Sequence, residues 1–303
     1  MAFIYNDYGH WIRQQFPFRV QKISLNAGFT CPNRDGNVGR GGCIFCDNRT
    51  FNPAYCHPQT SIAQQIQSGK AFFSHKYPDM KYLAYFQAFS NTYASIELLK
   101  KLYEEALAQQ DIVGLVISTR PDCISQVLLQ YLAELNKRTF LIVEYGIEST
   151  NDKTLRLINR GHDFECTRKA IQATHDMGIL TGGHVILGLP GEDEEESIRQ
   201  ASTISDLPLD ILKIHQMQII KGTRLAQMYM EQPFHLYNIE EYIRLISSYI
   251  SRLRKDLVIE RFASQSPSDM LIAPKWGLKN YEFTNLLTNY LRKNNIHQGI
   301  MLE

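Results

Sequence analysis

The chain has 303 residues, 44% hydrophobic and 21% charged, which supplies enough apolar material for a sizeable buried core. Lys and Arg total 32 against 31 Asp and Glu, which excludes a strongly basic nucleic-acid binder at the level of the whole chain. No apolar run approaches the roughly 20 residues that span a bilayer, and residues 1–10 lack a signal-peptide pattern, so a cytoplasmic protein without a membrane partner is expected.

In chain order, short runs rich in β-branched and aromatic side chains recur at 22–26, 82–88, 112–118, 140–147, 180–187 and 211–216. Each has the length and composition of a buried parallel strand. Amphipathic stretches at 95–109, 124–136, 164–177 and 194–205 lie between them. This alternation predicts an α/β fold with a parallel sheet, either curled into a barrel or opened into a doubly wound sheet. The acidic run 192–196 follows Gly191 and opens a helix, where negative charge suits the macrodipole.

Beyond residue 221 the pattern changes. Stretches 239–253 and 281–291 read as helices, with no strand expected between them. The expected organisation is a barrel over 1–225 and a helical C-terminal extension over 226–303 packed on it. Near-neutrality hides a charge pattern along the chain. Residues 1–60 carry 6 basic and 3 acidic side chains, and residues 244–303 carry 9 and 5, so both ends are mildly basic and the middle is acidic.

Four of the six cysteines, Cys31, Cys43, Cys46 and Cys56, are clustered near the N-terminus. In a chain without an export signal, such thiols are better read as ligands or catalysts than as disulfides. The segment between Cys31 and Cys43 is rich in glycine and turn formers, so it can wrap closely around a bulky inorganic group and offer backbone N–H groups to sulfur. Three thiolates on such a loop suit an iron–sulfur cluster with one iron left open. Four cysteines could instead close a structural zinc site, Cys43 and Cys46 could form a redox pair, or the thiols could be unrelated.

The stretch Thr30-Cys31-Pro32-Asn33-Arg34-Asp35-Gly36, continuing to Gly41-Gly42-Cys43-Ile44-Phe45-Cys46, resembles the cluster loop of the YhcC/YtqA family. This is a radical S-adenosylmethionine branch related to the catalytic subunit of elongator. Further matches are Gln87-Ala88-Phe89-Ser90-Asn91, Ser118-Thr119-Arg120-Pro121-Asp122, Asn159-Arg160-Gly161-His162 and Gly188-Leu189-Pro190-Gly191. The resemblance covers most of residues 20–225. It implies a partial (β/α)6 TIM-like barrel, whose chemistry gathers at the C-terminal ends of the strands, where these motifs fall.

By this resemblance Cys31, Cys43 and Cys46 hold a [4Fe-4S] cluster, and Cys56 is a spectator. S-adenosylmethionine is the second cofactor, reductively cleaved to a 5′-deoxyadenosyl radical. Arg160 resembles the arginine that pairs with the cofactor carboxylate, for which a guanidinium is well shaped. Gln87, Ser90 and Asn91 stand where the cofactor amine is received, and Glu148 where the ribose is touched. Phe45 is expected near the adenine, which the backbone at Gly188 approaches closely. His215 and Lys213, two apart on one strand, are the candidates for substrate contact, while His162 and His184 read as buried histidines. Asp122 is expected to cap the helix beginning at Ile124, and Cys123 and Cys166 to be inert.

The implied function is tRNA modification: removal of a carboxymethyl group from the wobble-uridine side chain, with tRNA as partner and a flavodoxin or ferredoxin as electron donor. No segment of acetyltransferase size follows Leu225, so the branch lacking that domain is expected. Two other readings stay open: the same radical chemistry on a small metabolite or a protein, and a non-catalytic zinc-stabilised binding module.

Overall fold

The computed structural model describes residues 4–74 and 79–302. Six strands follow the expected runs: β1 (Val20–Leu25), β2 (Lys81–Phe86), β3 (Ile112–Thr119), β4 (Phe140–Glu148), β5 (Leu180–Leu187) and β6 (Ile211–Gln216). Two-residue β7 (Ile219–Ile220) follows, and then β8 (Val258–Arg261) and β9 (Leu271–Ala273). The main sheet runs β1-β2-β3-β4-β5-β6-β8 with every pair parallel, and it curls into a half-barrel. Strands β7 and β9 form a separate antiparallel pair.

The helices in chain order are α1 (Tyr8–Gln15), α2 (Pro32–Asp35), α3 (Ile62–Ser74), α4 (Ile96–Leu107), α5 (Gln126–Asn136), α6 (Asp152–Leu157), α7 (Phe164–Asp176), α8 (Glu194–Ser205), α9 (Arg224–Glu231), α10 (Ile239–Ile250) and α11 (Asn280–Lys293). Serines at the mouths of α4 and α5 and aspartates at those of α7 and α8 accept from backbone N–H groups of the first turn. These caps satisfy donors that have no partner within the helix.

Side-chain alternation along the strands divides the interior in two. Ala84, Phe86, Leu115, Ile117, Leu141 and Val143 join the main core beneath the helices. Their neighbours Leu83, Tyr85, Val116 and Ile142 face into the barrel, where Ile12, Trp11 and Phe16 around α1 close one end. The period of two along each strand imposes this division.

The expectation of a purely helical tail needs correction. Strand β8 lies between the two tail helices and extends the parallel sheet at β6, and β9 lies between the same helices. Strand β8 was hidden because it has only four residues and half of them, Glu260 and Arg261, are charged. Such a segment shows no apolar run, since its charged side chains line the interior cavity instead of the outer surface. Among the described residues no helix is long and apolar enough to cross a membrane.

Candidate active site

Beyond the end of β1 the chain reaches Cys31, which precedes α2 with Pro32 at its first position, as a helix start favours. The buried Asn33 then organises the loop. Its side-chain amide donates to the Asn159 carbonyl at 2.5 Å and points at the Cys43 sulfur at 3.8 Å, and its backbone carbonyl accepts from Gly42 N. A Cβ on Gly39 would sit 2.2 Å from the Asn33 side-chain oxygen, so glycine there permits the close approach. Ile44 N donates to Ile158 O at 3.0 Å, which ties the cysteine loop to the segment carrying Arg160.

Donors gather on the sulfurs. Arg160 Nη1 lies 3.6 Å from Cys43 Sγ, and Asn48 Nδ2 lies 3.6 Å from Cys46 Sγ. Burial, and then the neighbouring Cys43, push the Cys46 thiol up to about 11. Packed thiols of this kind ionise together only when positive charge joins them, as ligation to iron provides. Hydrogen-bond donors aimed at ligand sulfurs are also how proteins tune such clusters. The donor set therefore fits a [4Fe-4S] group.

Cys56 stands apart from this set. It is buried and does not line the cavity, its thiol donates to Ser24 O at 2.8 Å, and burial pushes it up to about 12. Among the described residues, no three acidic, histidine or cysteine side chains converge as they would around a single metal ion. The four-cysteine zinc arrangement is not assembled.

Arg160 is 5% exposed and links the thiol loop to β4. Its Nη2 donates to Gly146 O at 2.5 Å and lies 3.5 Å from Glu148 Oε1, while its Nε has no partner. Glu148 adopts a left-handed backbone (φ +66°), and burial pushes its carboxyl up while Arg160 opposes that shift. Arg120 donates bidentately to Asp122 and also to the Arg160 carbonyl at 2.9 Å, leaving its Nη1 without a partner. Unpartnered guanidinium N–H groups beside one cavity suit an anionic cofactor group.

The cavity occupies about 690 Å³ and runs from the cysteine loop into the barrel interior. Its inner wall carries a buried charge network. Glu144, from β4, accepts from Lys213 (2.7 Å), Lys22 (3.0 Å), Ser118 (3.0 Å) and His184 (3.1 Å). Glu260 accepts from Lys22 at 2.7 Å, and Lys213 also meets the Tyr85 hydroxyl at 3.1 Å. The His215 ring stacks on His184 with centroids 5.4 Å apart, and its Nδ1 bonds the Ser264 hydroxyl.

The cavity brings together Cys31, Cys43, Phe45, Cys46, Gln87, Ser90, Glu148, Arg160 and His215 from the expected set. Three others lie off its lining. Asn91 is fully buried and spends its amide on Ser118 O at 2.8 Å. Lys213 is sealed within the charge network. Gly188 lies against Tyr237, whose ring carbons would sit 3.1 Å from a Cβ there. Asp122 does not cap α5: Ser125 does, accepting from Leu128 N, while Asp122 is held by Arg120. The serine immediately before the first helical residue, three positions on from Asp122, is the better placed acceptor. Unanticipated from sequence were Lys22, Tyr85, Glu144, Glu260 and Arg261. Only an unusual charge inside an otherwise apolar run, Glu144 between Val143 and Tyr145, gave any signal.

The model of the radical SAM superfamily matches residues 31–200, and that of the radical SAM C-terminal domain matches residues 209–293. The chain is 34% identical to the uncharacterized protein YtqA of Bacillus subtilis, over 97% of this chain and 92% of that protein. It is 30% identical to a tRNA uridine(34) acetyltransferase of Methanocaldococcus infernus, over 66% of this chain and 36% of that protein. Among solved structures, the Elp3 of Methanocaldococcus infernus superposes with a TM-score of 0.71 at 21% identity, covering 93% of this chain and 64% of that one, a likeness of fold. The chain belongs to the radical SAM superfamily, in the family of YtqA, and its cofactors are a [4Fe-4S] cluster and S-adenosylmethionine.

Proposed function

We propose that this radical S-adenosylmethionine enzyme acts on the wobble uridine of tRNA, removing a carboxymethyl group from its side chain. The observation that carries the tRNA reading is the 30% identity to a tRNA uridine(34) acetyltransferase over two thirds of the chain. When bound, the cofactor pair supplies a 5′-deoxyadenosyl radical by one-electron cleavage of the sulfonium, with a flavodoxin or ferredoxin as the electron donor.

In this reading Cys31, Cys43 and Cys46 hold the cluster, and Asn33, Asn48 and Arg160 steady the ligand sulfurs. Arg160 and Arg120 offer unpartnered N–H groups to the cofactor carboxylate. Gln87 and Ser90 take the amine, Glu148 accepts from the ribose hydroxyls, and Phe45 lies along the adenine. Asn91 and Gly188 shape the walls from outside the cavity. His215 faces the substrate, while Lys213 acts on it only through Glu144 and Tyr85. The protein thus positions the reacting groups and excludes water, and the cofactor carries the chemistry.

Anaerobic reconstitution with iron and sulfide, followed by assay for 5′-deoxyadenosine with and without tRNA, tests the reading. The expected result is cleavage stimulated by tRNA, together with altered wobble uridines in tRNA from a deletion strain. Unchanged nucleosides in that strain would remove the tRNA assignment and leave the radical chemistry in place.

A further inference from the structure

The charge network inside the barrel does not balance. Lys22, Lys213 and Arg261 stand against two carboxylates, Glu144 and Glu260. Both carboxyls are held below their ordinary range, chiefly by the two lysines working against burial. The adjacent rings add no charge: burial first, then Lys213, lower His184 to about 4, and burial with Arg261 lowers His215 well below its ordinary value. One positive charge is left unmatched.

That charge belongs to Arg261. Glu144 accepts from Lys213, Lys22, Ser118 and His184, and Glu260 accepts from Lys22 and pairs with Lys213 at 3.4 Å. Among the described residues, the Arg261 side chain has no hydrogen bond and no ion pair at contact distance, although it is half-buried, lines the cavity and helps lower the Glu260 carboxyl through space. Its place follows from the fold. The register shift where β8 meets β6 pairs Arg261 with Lys213, and both Glu260 and Arg261 line the same cavity wall. Nearby, the buried His215 Nε2 also has no partner. A half-buried guanidinium that reaches a carboxylate only through space, with no hydrogen bond to either Glu144 or Glu260, keeps its N–H groups available for an anion in the cavity.

We propose that Arg261 is a specificity-determining residue that binds a singly charged oxyanion of the substrate, namely its carboxylate. One unmatched charge calls for a monoanion, and the planar fork of arginine suits a carboxylate bidentately. This rests on the tRNA reading in naming the carrier of that group, the carboxymethyl-bearing side chain of the uridine. The cofactor carboxylate is provided for elsewhere, at Arg160 and Arg120 beside the thiols. A backbone phosphodiester is the other monoanion that could meet Arg261, and the test separates the two.

The test measures binding of anticodon stem-loops by the reconstituted protein. One carries the carboxymethylaminomethyl side chain, a second its neutral carboxamide, and a third unmodified uridine. The wild type is expected to bind the carboxylate form about tenfold or more tightly than the amide, the scale of one charge-assisted hydrogen-bonded pair. Arg261→Gln abolishes that preference, Arg261→Lys retains part of it, and both keep the wild-type S-adenosylmethionine affinity with a melting temperature no lower than that of the wild type. Equal binding of carboxylate and amide forms by the wild type overturns the proposal and leaves the tRNA reading standing. A uniform loss across all three stem-loops in Arg261→Gln assigns the arginine to a phosphodiester instead and also overturns it. If no stem-loop binds, the tRNA reading fails. The same comparison with the free modified nucleoside and its carboxamide then decides the role of Arg261, and no Arg261-dependent preference there overturns it.

Discussion

Lys213 Nζ lies 2.7 Å from Glu144 Oε2, with both side chains sealed from solvent. The pair is not symmetric. Glu144 is the hub that receives both lysines, whereas Lys213 has Glu260 at 3.4 Å as a second counter-charge. Removing one member of a buried ion pair leaves the other charge uncompensated, at a cost of about 3–5 kcal/mol. Glu144→Leu leaves two buried lysines to share Glu260 alone, whereas Lys213→Met leaves two carboxylates sharing Lys22 and Glu144 with its Ser118 and His184 donors. The expected order in urea unfolding is therefore a larger drop in midpoint for Glu144→Leu than for Lys213→Met. Equal or reversed losses would show that Glu144 is not the hub.

The same network sets an acid limit on stability. His184 has its folded pKa lowered from 6.5 to about 4, chiefly by burial. Between those values the unfolded chain binds the proton that the native state refuses, so stability falls as pH drops from 6.5 toward 4. His215 is shifted in the same direction and adds to the slope. The depressed Glu144 and Glu260 act at lower pH: their contribution is complete above the ordinary carboxyl range and is lost below it. Calorimetry from pH 7 to 4.5 should show the melting temperature falling before the carboxyls titrate. His184→Gln, which keeps a donor toward Glu144, should flatten that fall.

Strands β3, β4, β5 and β6 could be read from the sequence within a residue of their ends, because strands buried on both faces are dominated by apolar and β-branched residues despite isolated polar positions such as Glu144 and Lys213. The thiol loop was legible for a different reason: Cys31, Cys43 and Cys46 are close in sequence, and their spacing survives folding. The charge network was not legible. Lys22 meets Glu144 across 122 residues and Glu260 across 238, so no local window holds both partners of either pair. Strand β8 was lost with it, since Glu260 and Arg261 read as surface charge until the barrel is closed around them.

Gly146 controls the position of Arg160. A Cβ there would lie 2.5 Å from Glu148 Oε1 and 2.7 Å from Arg160 Nη2, so alanine must push the guanidinium off the Gly146 carbonyl. Displacements of about 1 Å near reacting groups cost up to about a hundredfold in rate. Gly146→Ala is expected to weaken S-adenosylmethionine binding by at least about tenfold in titration calorimetry of the reconstituted protein, while iron content stays near that of the wild type. Unchanged affinity would show that Arg160 does not hold the cofactor.

The cysteines give the sharpest contrast within one class of side chain. Cys43 and Cys46 share the cavity with Cys31 and have N–H donors aimed at their sulfurs, as a ligand set requires. Cys56 is as well buried as Cys43, yet it lies off the cavity lining and spends its thiol on a strand carbonyl. Single alanine substitutions at Cys31, Cys43 or Cys46 should each abolish most bound iron and sulfide after anaerobic reconstitution, with loss of the visible charge-transfer absorption. Cys56→Ala should keep the full iron content and cost about 1 kcal/mol in denaturant unfolding, the worth of one internal hydrogen bond. Iron retained in the Cys43→Ala protein, or lost in the Cys56→Ala protein, would reassign the ligand set, because burial alone would then have failed to separate a ligand from a structural thiol.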